Sequence, residues 1–320
     1  MSAAFIFPGQ GSQSVGMGKP LAQAFAPARQ VFAEVDAALD QKLTRIIWEG
    51  PAEELTLTEN AQPALMAMSL AVMRVLEAEA GVDLARDAAF VAGHSLGEYS
   101  ALAASGALSI SEAVRLVRLR GRAMQESVPV GIGAMAALIG LEFDQAVAVA
   151  EQASEGEVCQ AANDNGGAQV VVSGHRAAVE RAVEIARKNG ARRATMLSVS
   201  APFHCALMQP AADVMSAALA QVSIKPPLVP VVANVSATPL RDPAEIVRAL
   251  IAQVTGTVRW RESVRVMAAA GVSKFYEVGA GKVLSGLVRR IAQGAQITSI
   301  GTPEEVASFK AGWLYGEINV

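Results

Sequence analysis

An alternation constrains this chain more than any other feature. Short apolar runs rich in β-branched and aromatic residues recur at 3–8 (AAFIFP), 88–93 (AAFVAG), 229–235 (VPVVANV), 273–278 (SKFYEV) and 296–300 (QITSI). Each is too short for a helix and too continuously apolar to leave one face in water. Between them lie longer segments of helical spacing, at 19–40, 61–80, 96–105, 109–126, 205–221, 242–254, 260–270 and 282–293. Strands buried on both faces and separated by helices imply a parallel sheet covered on both sides.

The pattern changes between 131 and 199. There the order is strand (134–140), helix (143–153), strand (158–162), strand (169–173), helix (177–189), strand (193–199). This βαββαβ order is ferredoxin-like, and VPVGIG (128–133) offers an entry hinge. The expected fold class is therefore α/β: a hydrolase-like parallel-sheet core domain with an inserted ferredoxin-like small domain. The core is discontinuous, 1–130 and 196–320, and carries the reactive residues; the insert is 131–195. Of the 320 residues, 52% are hydrophobic, enough apolar side chains for a core of that size.

Composition also narrows the partners. A net charge of −3 with no basic block argues against nucleic acid. The longest uncharged stretches are broken by Pro202, Pro210 or paired glycines, so no membrane span is expected. The opening MSAAFIFPGQG has no basic leader, and its apolar run stops at Pro8, so no secretory signal is expected either. Two cysteines, Cys159 and Cys205, fit free thiols in a reducing cytoplasm better than a disulfide framework.

The stretch FVAGHSLGEYSALAASG (90–106) contains G-x-S-x-G at 93–97. A strand precedes the motif and a helix follows it, which is the setting of a nucleophile elbow. Ser95 would then project from the carboxyl end of the sheet, with the next backbone N–H facing a developing oxyanion. The plainer reading is a serine in a glycine-flanked turn. A nucleophile needs a base within reach. Of three histidines, His94 is expected to support the elbow and His175 to lie in a solvated loop. His204, in SVSAPFHCALMQP, is expected at the carboxyl end of a sheet strand, where open α/β sheets place their sites. By elimination it is the base. No Asp or Glu lies between Lys188 and His204, so the simplest hydrolase triad is missing and a neutral acceptor is expected behind the imidazole. Cys205 is expected to be a small buried thiol.

In SISEAVRLVRLRGRAMQES (109–127), Ala113, Leu116, Val117 and Met124 form an apolar stripe at helical spacing, and Arg120 falls on it. Arg115, Arg118 and Arg122 fall on the opposite, solvated face. An inward guanidinium keeps its charge and needs an anion. Either an internal Asp or Glu supplies it, or a substrate carboxylate does so in bidentate fashion; the pattern does not choose. FIFPGQGSQSVGMG (5–18) fails as a dinucleotide loop, because position 14 is Ser, and lacks the P-loop Gly-Lys-Ser/Thr. A second oxyanion donor suits it better. EVGAGKVL (277–284) reads as a tight loop with Lys282 exposed, and NDNGG (163–167) as a turn whose Asn163 and Asn165 are candidates to line the cleft.

FPGQGSQ, GHSLGEYSAL, RGRAMQ, GAMAAL, APFHCALM and YEVGAGKVL occur here in an order and spacing that resembles the malonyl-CoA:acyl carrier protein transacylases, stand-alone bacterial members of the acyltransferase-domain family. The resemblance spans essentially the whole chain and is weakest after Ile300. It implies that Ser95 is the acylated nucleophile, His204 its base and acid, and Arg120 the holder of the malonyl carboxylate. It further implies an oxyanion hole from the N–H groups of Gln10 and Leu96, and a main-chain carbonyl of Gln253 that orients the histidine. Met135 of GAMAAL, Asn163, Asn165 and Phe203 join the implied substrate-binding positions; Phe before the histidine goes with malonyl in modular relatives. The implied substrate is malonyl-CoA, and the implied partner is a transient, acidic holo-acyl carrier protein that brings its own phosphopantetheine. No metal or resident cofactor is implied, and the setting is cytoplasmic fatty acid or polyketide synthesis. Lys188, Arg192, Arg193, Arg289 and Arg290 are candidate docking charges, or ordinary solvated ones. Two other functions fit the residues: a serine esterase or thioesterase on a similar elbow, and a non-catalytic carrier-binding module.

Overall fold

A computed structural model describes residues 2–315. Ten strands form within them: β1 (Ser2–Phe7), β2 (Phe90–Gly93), β3 (Gly133–Ile139), β4 (Cys159–Asp164), β5 (Gln169–His175), β6 (Arg193–Met196), β7 (Val231–Val232), β8 (Pro239–Leu240), β9 (Val272–Val278) and β10 (Gln296–Ile300). They divide into two sheets. The larger runs β10-β9-β1-β2-β7-β8, and every pair in it is parallel except β7 with β8. Alternate residues of a strand point to opposite faces. Phe5 and Phe7 of β1 therefore pack into one helical layer, and Ala4 and Ile6 into the other. Two covered faces explain why the run reads as continuously apolar.

The helix expected over 19–40 is two, Lys19–Ala24 and Ala26–Leu39. Phe25 between them is extended, and Pro27 starts the second, where a missing N–H costs nothing. Helix 61–80 begins earlier, at Thr58, and is buried almost all round. Short helices at Leu43–Glu49, Ala52–Thr56 and Leu84–Asp87 carry too few turns to show a period. The tail after Ile300 holds a helix, Pro303–Tyr315, whose Phe309 and Trp313 pack edge-on against Tyr276 of β9. Among the described residues no helix is long and apolar enough to cross a membrane.

The smaller sheet is antiparallel, in the order β4-β5-β3-β6. Ala134, Ala136 and Leu138 of β3 face the helices Phe143–Ser154 and Arg176–Lys188 in a separate apolar cluster. The other face points at the larger core, which Met135, Ala162 and Val171 join. At the entry, Val130 is 85% exposed and Gly131 takes φ +92°. The last strand stops at Met196, not 199, because its pairing with β3 ends there. Residues 197–205 then run back without regular structure. The expectation that His204 ends a strand of the larger sheet is thus wrong: the strand before it belongs to the smaller sheet.

Candidate active site

The elbow forms where β2 gives way to the helix Gly97–Ala104. Ser95 takes φ +54°, a region L side chains rarely adopt. A Cβ at position 93 would collide with the Gly97 backbone, and one at 97 with the Phe7 carbonyl, so close approach requires both glycines. Asn234 clasps the strained turn from outside. Its Oδ1 accepts the Ser95 N–H at 2.7 Å, and its Nδ2 donates to the Gly93 carbonyl at 2.7 Å.

Ser95 Oγ lies 2.8 Å from His204 Nε2. On the far side of the ring, Nδ1 donates to the Gln253 main-chain carbonyl at 2.9 Å. A carbonyl only accepts, so the proton sits on Nδ1 and Nε2 is left to take one. His204 is held at φ +59° and is 4% exposed. Burial, with the charge of Arg120 next in effect, pushes its pKa down to about 3, against the opposing Gln253 carbonyl. The imidazole is therefore neutral, in its basic form, at neutral pH.

Arg120 points inward, 1% exposed. Its Nη1 donates to Gln62 Oε1 at 2.8 Å; its Nη2 donates to Gln253 Oε1 at 2.8 Å and to Ser95 Oγ at 3.1 Å. Nε has no partner. Among the described residues no carboxylate is salt-bridged to this guanidinium; all three of its acceptors are neutral. Arg115 and Arg122 are exposed as expected, but Arg118 is not on a solvated face. Only 13% of its side chain is exposed, and it donates to Asn60 Oδ1 at 2.7 Å and Gln41 Oε1 at 2.6 Å. The helix Thr58–Ala80 packs over that side as well.

A cavity of about 390 Å³ opens over these groups. Gln10 and Leu96 line it, and among the described residues no protein acceptor takes either backbone N–H. Leu96 stands at the start of the elbow helix, where N–H groups favour negative charge. The smaller sheet forms the facing wall: Met135 on β3, Asn163 on β4 and Asn165 just after it, with Phe203 beside the base. NDNGG is thus only partly a turn, since Asn163 and Asp164 still pair in β4. Asn165 Oδ1 lies 2.9 Å from His94 Nε2, and the His94 ring packs against Trp260, so His94 braces the elbow and touches the insert wall. His175 is not a solvated loop residue: it ends β5, half-buried, and its Nδ1 accepts the Val158 N–H at 2.9 Å. Lys282 is exposed and paired with Glu305 at 2.7 Å. Cys205 is a free buried thiol.

Several residues of the site escaped sequence reasoning: Gln62, Asn234, Glu98 and the side chain of Gln253. Glu98 is 2% exposed, and its Oε2 accepts from Gln253 Nε2 at 2.7 Å and from the Asn234 N–H at 3.1 Å. Burial raises its pKa to about 7, opposed by those bonds and by Arg120. The signal was present in GEYSALAA (97–104), a lone carboxylate in a helix otherwise small, aromatic or apolar and buried at every position. No group of three His, Cys, Asp or Glu among the described residues could hold a metal.

The model of the acyl transferase domain family matches residues 4–307. The malonyl CoA-acyl carrier protein transacylase of Bacillus subtilis (strain 168) is 47% identical over 304 residues, 95% of this chain and 94% of that one. A crystal structure of an acyl-carrier-protein S-malonyltransferase from Bartonella henselae is similar with a TM-score of 0.94 at 55% identity, covering 97% and 99% of the two chains. A malonyl-transacylase in complex with its type II PKS acyl-carrier protein is similar with a TM-score of 0.94 at 39% identity, covering 98% and 100%.

Proposed function

The chain belongs to the acyl transferase domain family, and on that premise we propose that it moves a malonyl group from malonyl-CoA to the phosphopantetheine thiol of an acyl carrier protein. The observation that carries the reading is the convergence of a base and a buried, carboxylate-free arginine on one serine oxygen, at 2.8 Å and 3.1 Å. The product supplies fatty acid or polyketide synthesis.

Ser95 Oγ attacks the thioester carbonyl while His204 Nε2 takes its proton. The N–H groups of Gln10 and Leu96 receive the oxyanion. The C–S bond breaks, the thiolate of coenzyme A takes the proton from His204, and malonyl remains as the Ser95 ester. In the second half His204 takes the proton of the carrier thiol, the thiolate attacks the ester carbonyl, and Ser95 recovers its proton. Arg120 binds the free carboxylate and so fixes the carbonyl over Ser95. It also selects against uncharged acyl groups, which would leave its charge buried and unpaired. Met135, Asn163, Asn165 and Phe203 shape the wall around the acyl group and the pantetheine arm.

A hydrolase would favour a carboxylate behind the base; the main-chain carbonyl of Gln253 supports transfer instead. The reaction asks for no resident cofactor. The division into a core (1–130 and 196–320) and an insert (131–195) belongs to the proposal, supported by the separate sheet and its own apolar cluster. So does a cytoplasmic location, supported by two free, buried thiols. The carrier docks on Lys188, Arg192, Arg193, Arg289 and Arg290, all exposed; the last two end the helix Val283–Ile291, whose first turns line the cavity. Mixing the protein with malonyl-CoA is expected to add one malonyl mass to Ser95 that persists until holo-carrier is added. Rapid loss of the label to water would favour the hydrolase, and no label the binding module.

A further inference from the structure

Glu98 lies under the elbow and takes no part in the steps above. Its surroundings are arranged around a single amide. Glu98 Oε2 already accepts from the Asn234 N–H at 3.1 Å, and an oxygen held as an acceptor dictates which end of the Gln253 amide faces it. Gln253 Nε2 donates to Glu98 Oε2 at 2.7 Å and to the Ser95 carbonyl at 3.0 Å. With the nitrogen end committed, Oε1 faces Arg120 and accepts from Nη2 at 2.8 Å. The main-chain carbonyl of the same residue holds His204 Nδ1 at 2.9 Å. The second partner of Glu98 Oε2 is the N–H of Asn234, the residue that clasps the Ser95 turn. Serine, base and clamp are thus all one residue removed from one buried carboxylate. If the amide turned over, its NH₂ would face the guanidinium, two donors with nothing between them.

We propose that Glu98 is a positioning residue of the acyl-transfer site, setting the pose of Arg120 through the Gln253 amide and that of His204 through the Gln253 main chain. The proposal rests on the acyl-transfer reading above. It is distinct from a supporting role in folding, because it makes the preference for malonyl over acetyl depend on Glu98.

The test follows Ser95 acylation by mass in single-turnover mixtures with malonyl-CoA or acetyl-CoA. Glu98→Ala removes the shorter of the two hydrogen bonds that hold the amide nitrogen and so loosens the amide, and malonylation is expected to fall about a hundredfold, the size of effect that a displacement of roughly 1 Å produces. Acetylation needs His204 but not Arg120, and is expected to fall only about tenfold. Glu98→Gln keeps an acceptor oxygen for Gln253 and is expected to return both rates to within about threefold. An unchanged malonyl-to-acetyl ratio in Glu98→Ala overturns the proposal, as does Glu98→Gln proving as slow as Glu98→Ala. If Glu98→Ala does not fold, Glu98→Asp carries the same prediction: withdrawal of the carboxylate by one methylene narrows the preference at least about threefold, and an unchanged preference overturns the proposal. A wild-type protein malonylated on Ser95 with unaltered ratios in the variants removes this inference alone. A wild-type protein that accepts no malonyl removes the acyl-transfer reading and this inference together.

Discussion

The two walls of the cavity are built differently. The wall from the larger sheet is a closed network: Ser95, His204, Arg120, Gln253, Glu98 and Asn234 are joined by hydrogen bonds of 3.1 Å or less. The wall from the smaller sheet presents Met135, Asn163 and Asn165 on strands and a turn, tied to the other by a few separate links. Those links include Asn165 with His94, Arg261 with Asp164 at 2.8 Å, Thr257 Oγ1 donating to the Ala161 carbonyl, and the backbone ladder of Val258 with Ala162 and Asp164. Reacting groups must be held closely, and a network does that. A wall that admits a long thioester arm needs shape and a few attachments. Substitutions on the two walls should therefore differ in kind.

The largest separation comes from Arg120→Ala. Malonylation of Ser95 should fall about a hundredfold, in line with roughly 3 kcal/mol for a lost buried charge contact, while acetylation is kept or rises. Equal loss of both in a single-turnover assay would break the distinction between clamp and base. Next come the buried titrating groups, read by chemical denaturation against pH. Glu98 has a folded pKa of about 7, above its ordinary value of 4.5, so the native state binds more protons between them and stability falls as pH rises through that window. His204 has a folded pKa of about 3 below 6.5, so the unfolded state binds more protons and stability falls as pH drops through 6.5 towards 3. The two slopes oppose each other from 4.5 to 6.5. Glu98→Gln should leave stability rising with pH there and His204→Ala should leave it falling, by up to about 3 kcal/mol; flat curves in both would show that neither group is as buried as the network implies.

Smaller effects are expected on the facing wall. Asn165→Ala removes one link and should weaken stability by about 1 kcal/mol, raising KM for malonyl-CoA a few-fold with kcat little changed. A large drop in kcat would mean that this wall also positions the chemistry. Smallest is charge reversal at Arg192, Arg193, Arg289 and Arg290. It should raise the carrier KM a few-fold and more at low salt, as steering between surface charges does, with Ser95 malonylation from malonyl-CoA unaltered. An unchanged carrier KM removes these residues from the dock.

Local signals made much of this legible. β1 and β2 showed as apolar runs, the βαββαβ order as a change of period, and the elbow as two glycines at fixed spacing. Arg120 was visible because a charge interrupts an apolar stripe. Arg118 misled for the converse reason: helical phase names one buried face, and a second helix packed over the other flank. His204 was found for its chemistry but misplaced: the βαββαβ order gives 193–199 to the smaller sheet, and the irregular run 197–205 that carries the histidine back to Ser95 has no period to read. The network itself lies beyond local reading. Gln253 meets Ser95 across 158 positions of chain and Asn234 across 139, separations at which no spacing rule operates.

The order of these residues along the chain has a consequence for synthesis. Ser95 and Arg120 are translated before the smaller sheet; His204, Asn234 and Gln253 come after it. A growing chain can close its first strands and glycine turn, yet the group that would strip the serine's proton is still missing, and so is the amide that clasps the turn. Nascent protein on the ribosome therefore meets cellular malonyl-CoA with an idle hydroxyl, and becomes chargeable only after the intervening fold has been laid down.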